Sequence, residues 1–170
     1  MNEAIDLKLF DTSPYPRSCP VVDPSKPSDG WERDATASFF LGKSNLDLSP
    51  NAFREFPYDY SSCHHWLCNE AFVFFLPGLM RLVLSDRGTD QTALLGDSLV
   101  NTFLRMASGE MSYRLQPIVE KYSEQQLGVI AQFLVEIARL DPYPISEKDP
   151  ALTALRLFWG QFLPRTTTEK

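Results

Sequence analysis

"NEAFVFFLPGLMRLVLSD", residues 69–86, is the most apolar stretch of the chain and decides its fold. A helix is predicted to open near Asn69 or Glu70, and apolar side chains then occupy nearly all of its faces. Such a helix belongs in the interior of a protein, so we expect it to be the central element. Pro77 lacks an amide hydrogen and therefore either kinks this helix or begins a second one that runs to Leu84.

Capping signals outside this stretch divide the chain into further helices. Ser49 and Pro50 place a capping side chain before a proline at the first helical position, which is a typical helix start. Ser123 and Gln126 have the spacing of a capping box, and the residues after them form the clearest amphipathic helix of the chain. The predicted helices cover approximately residues 2–10, 30–41, 50–56, 70–84, 90–107, 124–140 and 150–163.

The segment after the first predicted helix is rich in proline. Residues 11–28 contain five prolines, which remove backbone donors and favour extended conformations. We expect this segment to be an ordered strap over the core, and residues 165–170 to be a frayed polar tail. The predicted fold class is therefore all-α, a single irregular domain of about seven helices over residues 1–170. Its centre is the apolar helix that proline interrupts.

Composition and charge restrict the function. The 170 residues include 16 Lys and Arg against 22 Asp and Glu, a formal net charge of −6. That balance argues against a nucleic-acid partner, because phosphate binding needs a clustered basic surface, and it suits a basic protein partner. The longest apolar run is too short to span a bilayer, and the N-terminal residues do not resemble a signal peptide. Three cysteines cannot all pair within one chain, so we expect a cytoplasmic protein without a membrane partner.

The stretch "SSCHHWLCNE", residues 61–70, holds both histidines and two of the three cysteines. If it is helical, His64 and Cys68 lie at i and i+4, and His65 and Cys68 at i and i+3, which lets two side chains meet one zinc ion. Cys68 and His64 also suggest a thiolate–imidazole pair for nucleophilic catalysis. Since neither further ligands nor a third catalytic group is evident, we predict no catalytic residue, metal or cofactor. His64, His65 and Cys68 are kept as minor metal candidates.

A packing role fits this stretch better. Trp66 and Cys68 are expected to face inward at the entry to the central helix, with His64 and His65 partly exposed in the loop or first turn. The preceding "FPYDYSS" places two tyrosines around an aspartate in a loop, and exposed aromatic residues are favoured in partner contacts. The candidate partner-binding residues are Tyr58, Asp59, Tyr60, His64 and His65.

The phrase "EAFVFFLPGLM", with "FFLGK" upstream and "YSEQQLGVIAQFLVEIA" downstream, resembles an uncharacterised bacterial family. Its members carry a phrase like "pEAFrYFLPAyM" and a later "lspeQ…v..FL", and "AIDLKLFDTSPYP" resembles the family's opening helix and proline strap. This chain departs from the pattern by having Gly78 where alanine is usual, and by lacking a tryptophan soon after Gly42 and Lys43. The shared motifs are packing motifs and imply no catalytic assignment. The matching positions are Phe72, Phe75, Leu76, Pro77, Ser123, Gln126, Phe133 and Leu134.

Small, acidic helical proteins of this kind also resemble the immunity proteins of bacterial toxin systems. That resemblance implies a stable scaffold with one complementary face and no catalytic constellation. We therefore expect a non-enzymatic protein-binding module, an immunity protein that neutralises a cognate, basic bacterial toxin by direct contact. Two alternatives stay open. One is a small metal-binding or Cys/His-dependent enzyme or regulator, and the other is a structural subunit of a homodimer or larger homo-oligomer.

Overall fold

The computed structural model describes residues 7–25, 31–85, 90–140 and 149–164. Within these ranges the protein is all-α, as the sequence predicts. Its internal contacts group the chain into two compact units, one within residues 1–99 and one within residues 100–170, while the prediction of a single domain stays a prediction. The α-helices are α1 (Trp31–Phe40), α2 (Pro50–Phe53), α3 (Cys63–Trp66), α4 (Asn69–Ser85), α5 (Asp90–Ala107), α6 (Ser112–Lys121), α7 (Glu124–Leu140) and α8 (Pro150–Leu157).

The apolar helix α4 continues through Pro77 as a single element. Nearly all of its side chains from Ala71 to Val83 are buried, which confirms that it forms the interior of its unit. The alternative in which Pro77 begins a second helix is wrong. No helix within the described ranges is both long and apolar enough to cross a membrane.

Asn45 supplies hydrogen bonds to the α4 backbone beside the proline. Its Oδ1 accepts from the amide of Gly78 at 2.9 Å, and its Nδ2 donates to the carbonyl of Phe74 at 2.8 Å. In a regular α-helix these two backbone groups, four residues apart, are partners of each other. The side chain is only 1% exposed, so the two bonds form out of water, where an unmet backbone group is costly. We call this pair of bonds the Asn45 bridge.

The close approach of Asn45 explains the glycine at position 78. A Cβ on Gly78 would lie 2.8 Å from Oδ1 of Asn45 and 2.9 Å from its carbonyl oxygen, which is closer than real side chains come. The backbone of Gly78 does not need a positive φ, so space rather than conformation excludes a side chain.

The 3-10 turn Asn45–Asp47 presents the bridging side chain and is itself held on both sides. The Asp47 carboxylate accepts from the amide and the hydroxyl of Ser44 at 2.7 and 2.8 Å, and these bonds lower the pKa of Asp47. From α4, Nη2 of Arg81 donates to three carbonyls in the turn and the residue after it, at 2.9 to 3.2 Å. One guanidinium therefore ties the turn to the helix that Asn45 bonds.

Residues 11–25 form the ordered strap that the proline content predicts. Nδ2 of Asn45 donates to the carbonyl of the strap's first residue at 3.0 Å. The amide of Tyr15 donates to a carbonyl just before the turn at 2.7 Å, and its ring is buried. Farther along, the buried Val21 accepts from the amide of Cys68 at 2.9 Å. The strap is thus held along its length by backbone bonds.

Aromatic rings fill the core of the first unit. The ring centroids of Phe40 and Phe75 lie 4.8 Å apart and join α1 to α4. Phe53 of α2 lies 4.6 Å from Phe39 and 4.7 Å from Tyr60. Pairs at such distances stabilise a fold by about 0.5–1.5 kcal/mol each beyond the area that they bury.

In the second unit α7 and α8 pack together with Trp159, which is fully buried. Its Nε1 donates to the carbonyl of Phe103 at 3.1 Å, and the two ring centroids lie 5.3 Å apart. The sequence pattern does not predict α6, because its ten residues contain Pro117 and are mostly polar.

The starts of α2 and α7 agree with the predicted caps, and α8 has a cap as well. Oγ of Ser49 accepts from an α2 amide at 3.2 Å, and Ser123 and Gln126 exchange bonds of 2.8 and 3.3 Å. Oδ1 of Asp149 accepts from two amides of α8 at 2.8 and 3.0 Å. Helix α2 ends at Phe53, earlier than predicted. Of the helix predicted over residues 2–10, residues 7–9 form a 3-10 turn and residues 2–6 lie outside the described residues, as do residues 26–30 and 165–170.

Asn45→Ala should lower the free energy of unfolding by about 2–4 kcal/mol, because it leaves two backbone groups of α4 buried without this partner. Asn51→Ala is the matched control, since Asn51 is exposed on α2, and it should change stability by less than about 0.5 kcal/mol. Urea unfolding followed by circular dichroism measures both. Equal effects for the two variants would contradict the bridge.

Gly78→Ala should lower the free energy of unfolding by about 1–3 kcal/mol, although alanine is the better helix former by about 1 kcal/mol. The added Cβ meets the Asn45 side chain, so the loss should be smaller when Asn45→Ala is already present. The double variant, unfolded in urea beside the two single ones, measures this coupling. If Gly78→Ala raised the free energy of unfolding, the turn would not exclude a side chain at position 78.

Candidate functional site

The histidine-containing stretch is not one continuous helix. Helix α3 ends at Trp66, and Leu67 has an extended conformation with φ −60° and ψ 136° before α4 begins. Leu67 pairs there with Val22 of the strap in an antiparallel bridge. The i and i+4 spacing of His64 and Cys68 therefore does not place them on one helical face. The zinc and catalytic-pair hypotheses both depend on that face.

His64 is fully buried rather than partly exposed. Its ring centroid lies 4.0 Å from that of His65 and 6.2 Å from that of Phe72, inside the first unit. The prediction that His64 contacts a partner is wrong for this structure, because its side chain does not reach the surface. Cys63 is buried beside it, and burial raises the pKa of the Cys63 thiol, which disfavours a reactive thiolate.

His65 and Trp66 lie nearer the surface. Nε2 of His65 is 3.2 Å from the hydroxyl of Ser98, and its side chain is half-buried. Trp66 is also half-buried, and its Nε1 donates to Oε2 of Glu32 at 3.3 Å. Trp66 and Cys68, predicted to face inward, are thus partly rather than fully buried. The inward positions of this stretch are the buried residues Cys63, His64 and Leu67.

Cys68 is half-buried, and its Sγ donates to the carbonyl of Pro20 in the strap at 3.0 Å. The structure does not gather His64, His65 and Cys68 into a ligand set. Among the described residues, no group of three or more His, Cys, Asp or Glu side chains has the geometry to hold a metal ion.

The loop before α3 separates into a buried and an exposed part. Tyr60 is buried, and its hydroxyl lies 2.9 Å from that of Thr92 on α5. Asp59 is exposed, and its Oδ1 accepts from the amide of Ser61 at 2.8 Å, which starts the next turn. Tyr58 is half-buried. Of the predicted partner-binding residues in this loop, Tyr60 is corrected to a core residue.

Trp31 is a surface residue that the sequence patterns do not single out. It begins α1 and is 78% exposed, which is unusual for the largest side chain. Its ring packs edge-on against that of Tyr58, with centroids 6.3 Å apart and an interplanar angle of 63°. The only sequence signal is a tryptophan set among charged residues in "DGWERD".

Exposed acidic side chains flank these two rings. Glu32 and Asp34 follow Trp31 on α1, and Asp59 follows Tyr58; all three are exposed. We call Trp31, Glu32, Asp34, Tyr58 and Asp59 the acidic aromatic face. It is the candidate functional site because it combines large aromatic rings with exposed carboxylates.

Comparison with family models, with curated proteins and with solved structures finds no match. The site and fold thus define a small all-α protein with an acidic aromatic face. The resemblance to the bacterial family stays a prediction.

Tyr60→Phe should lower the free energy of unfolding by about 1 kcal/mol, because the buried hydroxyl of Thr92 loses this hydrogen bond. Tyr58→Phe is the matched control and should change stability by less than about 0.5 kcal/mol. Urea unfolding of both variants measures the difference. If the two losses were the same, Tyr60 would not have the structural role assigned here.

Proposed function

We propose that this protein is a non-enzymatic protein-binding module whose acidic aromatic face contacts a basic protein partner. The observation that carries the proposal is the exposed ring of Trp31, held edge-on against Tyr58 at the surface. Tryptophan and tyrosine are enriched among the residues that contribute most to protein–protein binding. An exposed tryptophan gains more from being covered than almost any other side chain.

The charges around the rings favour a basic partner. Glu32, Asp34 and Asp59 are exposed on this face, while the neighbouring Arg33 lies mostly covered. Nη1 of Arg33 is 3.6 Å from Asp34, and its Nη2 donates to the carbonyl of Asp23 at 3.4 Å. Lysine and arginine side chains of a partner can therefore meet both carboxylates and aromatic faces here.

The net charge of −6 also favours a basic partner, and its effect extends farther from the surface than contacts with single side chains. It raises the rate of encounter with a positively charged protein and lowers it for other acidic proteins. The contribution is screened when salt is added, because the Debye length shrinks to about 3 Å at 1 M.

Within this class, we propose an immunity protein that neutralises a cognate bacterial toxin in the cytoplasm. Such a protein needs a rigid scaffold and one complementary face, and the buried aromatic core behind α1 supports a rigid face. The small size, the acidic charge and the resemblance to immunity proteins support the same assignment.

Trp31→Ala should weaken binding to the toxin partner by about 30-fold, and Tyr58→Ala by about tenfold. Binding is measured by calorimetry with the toxin domain encoded beside the gene for this protein, and neutralisation by the remaining toxin activity. Trp31 is largely exposed, so circular dichroism should show both variants folded.

Tyr113→Ala is the matched control, because Tyr113 is 56% exposed on α6 and lies outside the face. It should change affinity by less than about threefold. If the wild-type protein and the three alanine variants bound the toxin with equal affinity, the acidic aromatic face would not be the binding site. A wild-type protein that binds no neighbouring gene product would overturn the immunity assignment. A wild-type dimer in light scattering that becomes monomeric with Trp31→Ala would instead favour the homo-oligomer alternative.

A further inference from the structure

The strap brings Cys19 to the segment that leads into α4. Cys19 is exposed in a turn that its own amide closes on the carbonyl of Pro16 at 3.0 Å. The next residue is Pro20, whose carbonyl oxygen accepts from the thiol of Cys68 at 3.0 Å and from the hydroxyl of Tyr15 at 3.1 Å. Cys19 and Cys68 are therefore both next to Pro20, Cys19 along the chain and Cys68 through the hydrogen bond of its thiol. We call these residues and Tyr15 the thiol cluster.

Backbone pairing fixes the register of this cluster. The amide of Cys68 donates to the carbonyl of Val21 at 2.9 Å, and Val22 pairs with Leu67 in an antiparallel bridge. Cys68 is thus held opposite Val21, two residues beyond Cys19 along the strap. Diagonal neighbours of this kind are about 7–8 Å apart, so the register brings Cys19 near Cys68 without joining the two thiols.

A disulfide between the two cysteines requires a movement of the exposed turn. Consecutive Cα atoms are about 3.8 Å apart, so the Cα of Cys19 lies about 6 Å or less from the carbonyl oxygen that holds the Cys68 thiol. A disulfide joins Cα atoms about 4.4–6.8 Å apart. Because Cys19 is exposed in a turn, its side chain has room to rotate toward Cys68 when the turn moves.

The electrostatics of Tyr15 place both thiols near one hydroxyl. Burial raises the pKa of Tyr15, and the neighbouring Cys68, Cys19 and Glu70 raise it further. Each of these groups acts on the phenol only because it lies close by. The result agrees with the cluster that the hydrogen bonds define.

We propose that Cys19 and Cys68 are a peroxide-oxidised thiol pair, and that their disulfide locks the strap to the segment before α4. The inference goes beyond the proposed binding function, because it concerns a modification site away from the acidic aromatic face. Transient disulfides of this kind are known uses of cysteine in reducing compartments.

The chemistry balances with hydrogen peroxide as the oxidant. The exposed thiolate of Cys19 attacks one peroxide oxygen, the O–O bond breaks, and water leaves after proton uptake, which gives a sulfenic acid. The thiol of Cys68 then attacks that sulfur, the S–S bond forms, and the S–O bond breaks with release of a second water. Two thiols lose two electrons and two protons in total, and one peroxide is reduced to two waters.

The third cysteine is a built-in control. Cys63 is fully buried, and burial raises the pKa of its thiol, so it should neither be oxidised nor enter the disulfide. Three cysteines allow three different disulfides, and Cys19–Cys68 is the one that we expect.

The test treats the full chain with hydrogen peroxide and counts free thiols by alkylation and intact mass. We expect two thiols to disappear with the loss of two hydrogen atoms, in a monomer, and peptide mapping to find Cys19 joined to Cys68. Oxidation should also raise the melting temperature by about 5 °C or more, since the bond closes a long loop.

Cys19→Ser and Cys68→Ser should each abolish the intramolecular cross-link and the rise in melting temperature, while Cys63→Ala should keep both. Circular dichroism shows whether each variant is folded, and the peptide map of the wild-type protein answers the question even where a variant is not. Disulfide-linked dimers through Cys19, or over-oxidation of Cys19 with the Cys68 thiol intact, would overturn the proposal.

Discussion

The side-chain amide of Asn45, hydrogen-bonded to Phe74 and Gly78 beside Pro77, is the interaction on which the first unit depends. The same amide bonds the first residue of the strap, and Arg81 holds the turn that presents it. Segments far apart in sequence therefore share one buried polar group. The aromatic core is arranged around a hydrogen-bonded bridge, so apolar packing alone does not specify the fold.

Much of the fold follows from local signals. The central position of α4 follows from its composition, and the helix starts follow from serine and aspartate caps whose bonds the structure contains. Gly42 and Gly109, just after α1 and α5, have positive φ values of 71° and 88°, a conformation that favours glycine at helix ends. These features are predictable because a few neighbouring residues determine each of them.

The continuity of α4 through Pro77 could not be predicted in the same way. The group that bonds the neighbouring backbone comes from Asn45, which lies 33 residues before Gly78. The candidate site could not be fully predicted either, because burial there depends on the fold rather than on neighbouring residues. Two residues, the extended Leu67 and Cys68, separate α3 from α4, and His64 is buried while Trp66 is half-buried. Trp31 has no periodic apolar partners in sequence, so only the fold reveals its exposure beside Tyr58.

The order of the bridge along the chain has a consequence for synthesis. Asn45 precedes Phe74 and Gly78 in the chain, so the side chain of the Asn45 bridge is made before the helical turn that it bonds. Chains leave the ribosome N-terminus first, at about 5–20 residues per second. A nascent chain that has released α4 therefore already contains both sides of the Asn45 bridge.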